Sequence, residues 1–159
     1  KNTIKNRFYY KHNFILTGDD KTYYFVNNHV VNSTPDCMGY DFSKPEFLRI
    51  LPSDLKEIQL DSLKPILEKI AIIKTDRLEM ISISSDVDTI RNKALQTFIV
   101  FAKTYNKDTT RIGYNYRLMT EEEQVVLEAK NKNKKYNPDS VTWKGDFGGF
   151  KFTVPNDKE

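Results

Sequence analysis

The sequence predicts an α+β fold, in which a mixed, mainly antiparallel sheet of about five or six strands packs against about three or four helices, chiefly on one face of the sheet. Three patterns predict this class: strand-turn-strand over residues 14–26, strand-helix-strand over 78–119, and a helix start at Thr120. A chain of 159 residues is long enough to bury one hydrophobic core of its own. We therefore expect a single α+β domain over residues 1–159.

The first third of the chain has the pattern of a β-hairpin followed by a long loop. Two apolar runs, 14–16 and 23–26, flank the sequence Thr-Gly-Asp-Asp at 17–20, which is typical of a tight turn. Residues 27–45 contain two Pro, one Gly and little periodicity. This composition predicts a long surface loop, a kind of segment that often carries function.

Helical patterns follow the loop. A short strand over 47–51 and a short helix over 54–60 with Ser53 as its N-cap are expected first. A second helix should begin near Asp61, with Pro65 tolerated because the first helical turn has no amide partners to lose. The buried stripe of this helix is Leu63, Ile66, Leu67 and Ile70.

The centre of the chain predicts a β-α-β unit. Residues 78–84 form a strand-sized apolar run, and Ser85 offers an N-cap oxygen to a helix that begins at once. Residues 112–118 alternate between apolar and polar side chains, as in a strand with one buried face. The helix between the two strands has a buried stripe of Val87, Ile90, Ala94, Phe98, Phe101 and Tyr105.

A capping-box motif marks the start of the last predicted helix. Thr120 is followed three residues later by Glu123, so each side chain can bond the backbone amide of the other residue. The helix should begin at Glu121 and stop before Pro138. Residues 141–154 then predict a closing hairpin.

Composition excludes several classes of protein. Hydrophobic residues make up 38% of the chain and charged residues 30%, with no apolar run of bilayer-spanning length, so we expect a soluble protein. The single Cys37 excludes an internal disulfide and a zinc site built on several cysteines. A net charge of +3 and a pI near 8.8 are only mildly basic, so nucleic acid is not an expected partner. No phosphate-binding loop or serine nucleophile motif is present, and we expect neither a cofactor nor a metal.

Two features favour the bacterial cell envelope slightly over the cytoplasm. The chain is rich in Lys, Asn, Ile and Tyr, which is typical of AT-rich bacterial genomes, and 13% of its residues are aromatic. It begins at Lys1 rather than Met, as after removal of a leader or a lipoprotein anchor segment. A residue left by an expression tag explains the same start equally well.

A catalytic site would have to lie in the 27–45 loop. His29 and Cys37 are eight residues apart there and Asp36 is adjacent, so a thiol activated by an imidazole is one hypothesis. No surrounding motif supports it, and a lone Cys beside Met38 is more often a small buried hydrophobe. Asp19 and Asp20 are better explained by the turn than by a metal.

A binding site is expected from polar and aromatic strand residues. Arg111, Asn115 and Arg117 lie on one face of the predicted strand 112–118, where they form an anion site or the polar side of an open sheet. Tyr10 and Tyr24 belong to adjacent Tyr pairs, of which one member should face away from the core. The alternative is that both faces of the sheet are covered.

Two functional hypotheses remain after these exclusions. The first is a non-catalytic binding domain that recognises another protein, for instance a toxin-neutralising immunity protein, with a small anionic ligand as a lesser possibility. The second is a small hydrolase or transferase that uses His29, Cys37 and Asp36.

Overall fold

The computed structural model describes residues 10–27, 50–72, 79–86, 91–105 and 112–141. Within these ranges the chain forms five strands and three α-helices. The strands are β1 His12–Leu16, β2 Thr22–Val26, β3 Lys56–Glu57, β4 Glu79–Ser85 and β5 Ile112–Leu118. The helices are α1 Leu60–Ile72, α2 Ala94–Tyr105 and α3 Glu121–Asn131, followed by a 3-10 turn at Pro138–Ser140.

The five strands form one sheet in the order β3-β2-β1-β4-β5. The pairs β1 with β2 and β2 with β3 are antiparallel, whereas β1 with β4 and β4 with β5 are parallel. The α+β class and the mixed sheet are confirmed. The expectation of a mainly antiparallel sheet is wrong, because β4, which begins about two fifths of the chain length after β1, pairs in parallel with both β1 and β5.

The N-terminal hairpin is confirmed. Leu16 lies opposite Thr22, and the Thr17 amide donates to the Lys21 carbonyl at 3.0 Å to close the turn. Asp20 adopts a positive φ of 66°, a conformation that Asp tolerates in turns.

The central β-α-β unit is also confirmed, but its helix begins later than the sequence predicts. Ser85 is the last residue of β4, where it pairs with both neighbouring strands, so it is not the N-cap. Instead, the Ala94 amide donates to Oδ1 of Asn92 at 2.8 Å at the start of α2. The predicted stripe residues 87 and 90 lie outside the described residues.

The segment before α1 differs from the prediction. Residues 54–60 do not form a helix, because Lys56 and Glu57 pair with β2 as a short edge strand. The preceding turn is closed by the Leu51 amide, which donates to Oδ2 of Asp54 at 2.8 Å. Helix α1 begins at Leu60, so Pro65 lies inside it, just beyond the first turn. The predicted strand 47–51 lies mostly outside the described residues.

Both faces of the sheet are covered. Alternate residues of β1 pack in two different hydrophobic clusters, one on each face of the sheet. Phe14 and Leu16 pack with α1 and α2 on one face, which we call the helix-pair face. Ile15 packs on the opposite face, the α3 face, with Val126 and Leu127 of α3. Helices α1 and α2 therefore lie on one side of the sheet and α3 lies on the other. The sequence-based expectation of helices chiefly on one face is wrong.

Helix α3 begins at Glu121, as the capping box predicts. It ends at Asn131, well before Pro138, because Asn133 turns into the left-handed region with φ of 49°. The Asn133 amide donates to the Lys130 carbonyl at 3.1 Å and the Lys134 amide to the Ala129 carbonyl at 2.9 Å. These two bonds form a Schellman motif, which terminates the helix. The predicted closing hairpin lies outside the described residues apart from Val141.

Candidate binding groove

Four of the residues predicted for a site lie outside the described residues. They are His29, Asp36, Cys37 and Arg111. The hypothesis of a thiol-imidazole pair therefore stays a prediction from the sequence.

Arg117 does not lie on an open sheet face. Its side chain is 3% exposed on the α3 face, and its guanidinium makes two bonds to Glu123, from Nη1 to Oε2 at 2.6 Å and from Nη2 to Oε1 at 2.8 Å. Nε donates to Oγ of Ser82 at 2.9 Å. The predicted surface position is wrong, because α3 covers this end of β5.

The capping box of α3 positions the carboxylate that Arg117 binds. The Thr120 amide donates to Oε2 of Glu123 at 2.9 Å, and the Glu123 amide donates to Oγ1 of Thr120 at 3.1 Å. Ser84 on β4 donates its hydroxyl to Oε1 at 3.3 Å. Glu123 thus joins β4, β5 and the start of α3, and this buried network holds the helix to the sheet.

The other predicted binding residues are divided between the two faces. Asn115 shares the α3 face with Arg117 and is half-buried. Tyr24 lies on the helix-pair face, where its ring packs on Phe14 at a centroid distance of 4.8 Å. The half-buried Tyr10 exchanges backbone hydrogen bonds with the Asn13 side chain. The structure therefore brings Asn115 and Arg117 together and keeps Tyr24 apart from them.

The described residues form a concave groove that sequence patterns did not reveal. It lies between α1 and α2 and has a volume of about 470 Å³. Its apolar lining comes from Val100, Phe101 and Tyr105. Its polar lining comes from Lys64, Glu68, Gln96, Thr97 and Thr104.

The groove exists because both helices direct their apolar stripes at the sheet. Helix α1 buries Leu63 and Leu67, and α2 buries Phe98 and Phe101, all in the cluster on the helix-pair face. The outer flanks of the two helices are left facing each other across the groove. Val100 lies off the buried stripe of α2 and is 50% exposed, more than any other large hydrophobic side chain among the described residues.

Aromatic stacking and one carboxylate shape the groove. The rings of Phe101 and Tyr105 stack at a centroid distance of 4.1 Å and an angle of 19°. The Tyr105 hydroxyl donates to Oε1 of Glu68 at 3.3 Å, and Nζ of Lys64 lies 3.9 Å from the same oxygen. Desolvation and the Glu68 carboxylate raise the pKa of Tyr105, so its hydroxyl stays protonated.

The groove lining carries only one basic and one acidic side chain, Lys64 and Glu68. One Lys and one Glu balance each other, and the remaining polar groups are neutral amides and hydroxyls. The eight residues that the structure places around the groove include no His, Cys or Ser, so they supply no imidazole base and no thiol or serine nucleophile.

Metal-binding clusters and membrane-spanning helices are two further features that can indicate function. In the described ranges, no group of three or more His, Cys, Asp or Glu side chains is arranged to hold a metal ion. Nor does any helix there combine the length and apolarity needed to cross a membrane. No family model matches the chain, and neither a curated protein nor a solved structure is significantly similar to it.

Proposed function

We propose that this protein is a non-catalytic binding module that holds an apolar helical segment of a partner protein in the groove between α1 and α2. The observation that carries the proposal is the position of Val100, a large apolar side chain that is half-exposed inside a mostly apolar concave surface. Full burial of an exposed side chain of this kind contributes roughly 1.5–3 kcal/mol, so covering the exposed half of Val100 contributes about half of that.

The dimensions of the groove favour a helix as its occupant. The lining of α2 runs from Gln96 to Tyr105, which corresponds to about 14 Å at the usual helical rise. The apolar anchors of an amphipathic helix at i, i+4 and i+7 span roughly 10 Å, so two or three of them fit this length. Two helices form the walls, and their backbone groups are bonded within each helix, so strand addition is disfavoured here.

The charge of the groove favours a protein over an anion. Lys64 and Glu68 face the same space and neutralise each other, with Nζ and Oε1 3.9 Å apart. A site for nucleic acid or a small anion would instead concentrate positive charge. A bacterial cell-envelope protein and a toxin-neutralising immunity protein are two specific forms of this proposal, and the second needs only a complementary surface.

The test is a selection of helical peptides from a displayed library against the whole protein. We expect enriched peptides to share apolar anchors at i, i+3 or i+4, and i+7 spacing. Val100→Glu should weaken their binding at least about ten-fold, which corresponds to about 1.4 kcal/mol, as measured by fluorescence anisotropy. Because Val100 is 50% exposed, the substitution should leave the urea unfolding midpoint nearly unchanged.

The matched control is Leu51→Glu. Leu51 is 40% exposed and neighbours Ile50, which packs in the cluster on the α3 face, so the same change is made away from the groove. This variant should bind the selected peptides within about two-fold of the unchanged protein. Failure to enrich any peptide, or equal weakening by both variants, would contradict the proposal.

A further inference from the structure

Glu68 places a carboxylate in the lining of the groove between α1 and α2. Its Oε1 accepts the Tyr105 hydroxyl at 3.3 Å and lies 3.9 Å from Nζ of Lys64. Within the part of the chain that the structure describes, nothing donates to its second oxygen, Oε2. The Glu68 side chain is 38% exposed, so a bound partner can reach this carboxylate.

Lys64 holds the Glu68 carboxylate only loosely. Its ammonium lies beyond hydrogen-bond distance of Oε1, and the Lys64 side chain is mostly exposed to solvent. An exposed ion pair between residues four positions apart on one helix contributes little to stability. A cationic side chain of a partner can therefore take the place of Lys64 beside Glu68.

An aromatic surface lies next to this carboxylate. Tyr105 is bonded to Glu68 through its hydroxyl and stacks on Phe101, and both rings line the groove. The guanidinium of an arginine is planar, so it packs on an aromatic ring and donates two parallel hydrogen bonds to a carboxylate. A carboxylate beside an aromatic pair therefore fits an arginine better than a neutral or acidic side chain.

The position of Tyr105 sets the distance from this pair to the apolar part of the groove. Val100 and Tyr105 are five residues apart on α2, which corresponds to about 7.5 Å along the helix axis. Tyr105 is the last residue of α2, and the partial negative charge of a helix C-terminus adds to the attraction of a cation. Lys103, the basic residue of that last turn, does not line the groove.

We propose that Glu68 and Tyr105 determine the specificity of the groove by selecting a partner helix that carries an arginine. On that helix the arginine lies about four or five residues from the apolar side chain that covers Val100, which matches the spacing of Val100 and Tyr105. This inference rests on the proposed function, and it adds the chemistry of the partner: an apolar helix face with one basic residue at a fixed position.

The first test runs the peptide selection in parallel against the wild-type protein and against Glu68→Gln. We expect apolar anchors at helical spacing in both sets of peptides, and enrichment of arginine at the stated position with the wild-type protein alone. Apolar anchors without arginine in the wild-type set, or arginine enriched equally by both proteins, would overturn this inference and leave the proposed function standing. A selection that enriches no peptide would contradict both.

The second test uses one enriched peptide, synthesised with arginine or with its neutral isostere citrulline at that position. By fluorescence anisotropy, the wild-type protein should bind the arginine form about five-fold more tightly, whereas Glu68→Gln should bind the two forms within about two-fold of each other. The matched control is Glu57→Gln, which removes an exposed carboxylate of β3 outside the groove lining and should keep the full preference. An equal preference for arginine in the wild-type protein and in Glu68→Gln would refute the role of Glu68.

Discussion

Replacing Glu123 with Gln should reveal how much of the fold depends on the buried ion pair with Arg117. Glu123 is fully buried and accepts hydrogen bonds from the guanidinium, the Thr120 amide and the Ser84 hydroxyl. Gln preserves the size of the side chain but turns one acceptor into a donor and leaves the Arg117 cation unpaired. Removal of one partner from such a pair costs about 3–5 kcal/mol, a large part of the roughly 5–15 kcal/mol that stabilises an ordinary domain.

The assay is urea unfolding followed by circular dichroism, with Thr120→Ala as the control. That variant removes the capping hydroxyl and keeps the ion pair, so it should lose only about 1 kcal/mol. The double variant Arg117→Met, Glu123→Met leaves no unpaired charge and should lose less than the two single Met variants combined. A loss below about 1 kcal/mol for Glu123→Gln, or strictly additive losses in the cycle, would refute this account of the network.

Two further predictions concern the core and the hairpin anchor. Phe98 is fully buried with its ring edge-on to Phe14 at 5.0 Å, so Phe98→Ala should cost about 3–5 kcal/mol in urea unfolding, and a loss below about 1 kcal/mol would contradict its place in the core. The Asn92 side chain caps α2 and donates from Nδ2 to the carbonyls of Thr17 and Lys21 at 3.0 and 2.8 Å, so Asn92→Ala should cost about 2 kcal/mol. Hydrogen exchange should show faster opening of both the hairpin turn and the first turn of α2, and unchanged protection at both places would argue against this anchor.

Local patterns were sufficient where a structural feature depends on residues close in sequence. The capping box at Thr120 and Glu123 was predictable because both hydrogen bonds join residues three positions apart. The hairpin was predictable for the same reason, since its turn sequence fixes which residues meet. The start of α2 was not, because Ser85 is a good N-cap by its local sequence and only the pairing of β4 with two strands excludes it from that role.

Features that depend on distant segments could not be derived in this way. A polar strand face such as that of Asn115 and Arg117 has the same pattern whether water or a helix covers it. The capping motif accounts for Glu123 by itself, so nothing in the local sequence indicates that the same carboxylate also binds Arg117. The sequence contains one weak indication of the groove, which is the apolar Val100 outside the buried stripe of α2. The depth of the groove, however, depends on where α1 lies beside α2.

The position of β1 between β2 and β4 has a consequence for synthesis of the chain on the ribosome. β2 follows β1 after a short turn, so this hairpin is complete early, whereas β4 emerges only after nearly half of the chain has been made. At roughly 5–20 residues per second, the second edge of β1 has no partner strand for several seconds. During that interval the edge carries the apolar run from Phe14 to Leu16, a template for pairing between nascent chains. We therefore expect the yield of folded protein to depend on the translation rate and on chaperones that hold exposed strands, in addition to the stability of the final fold.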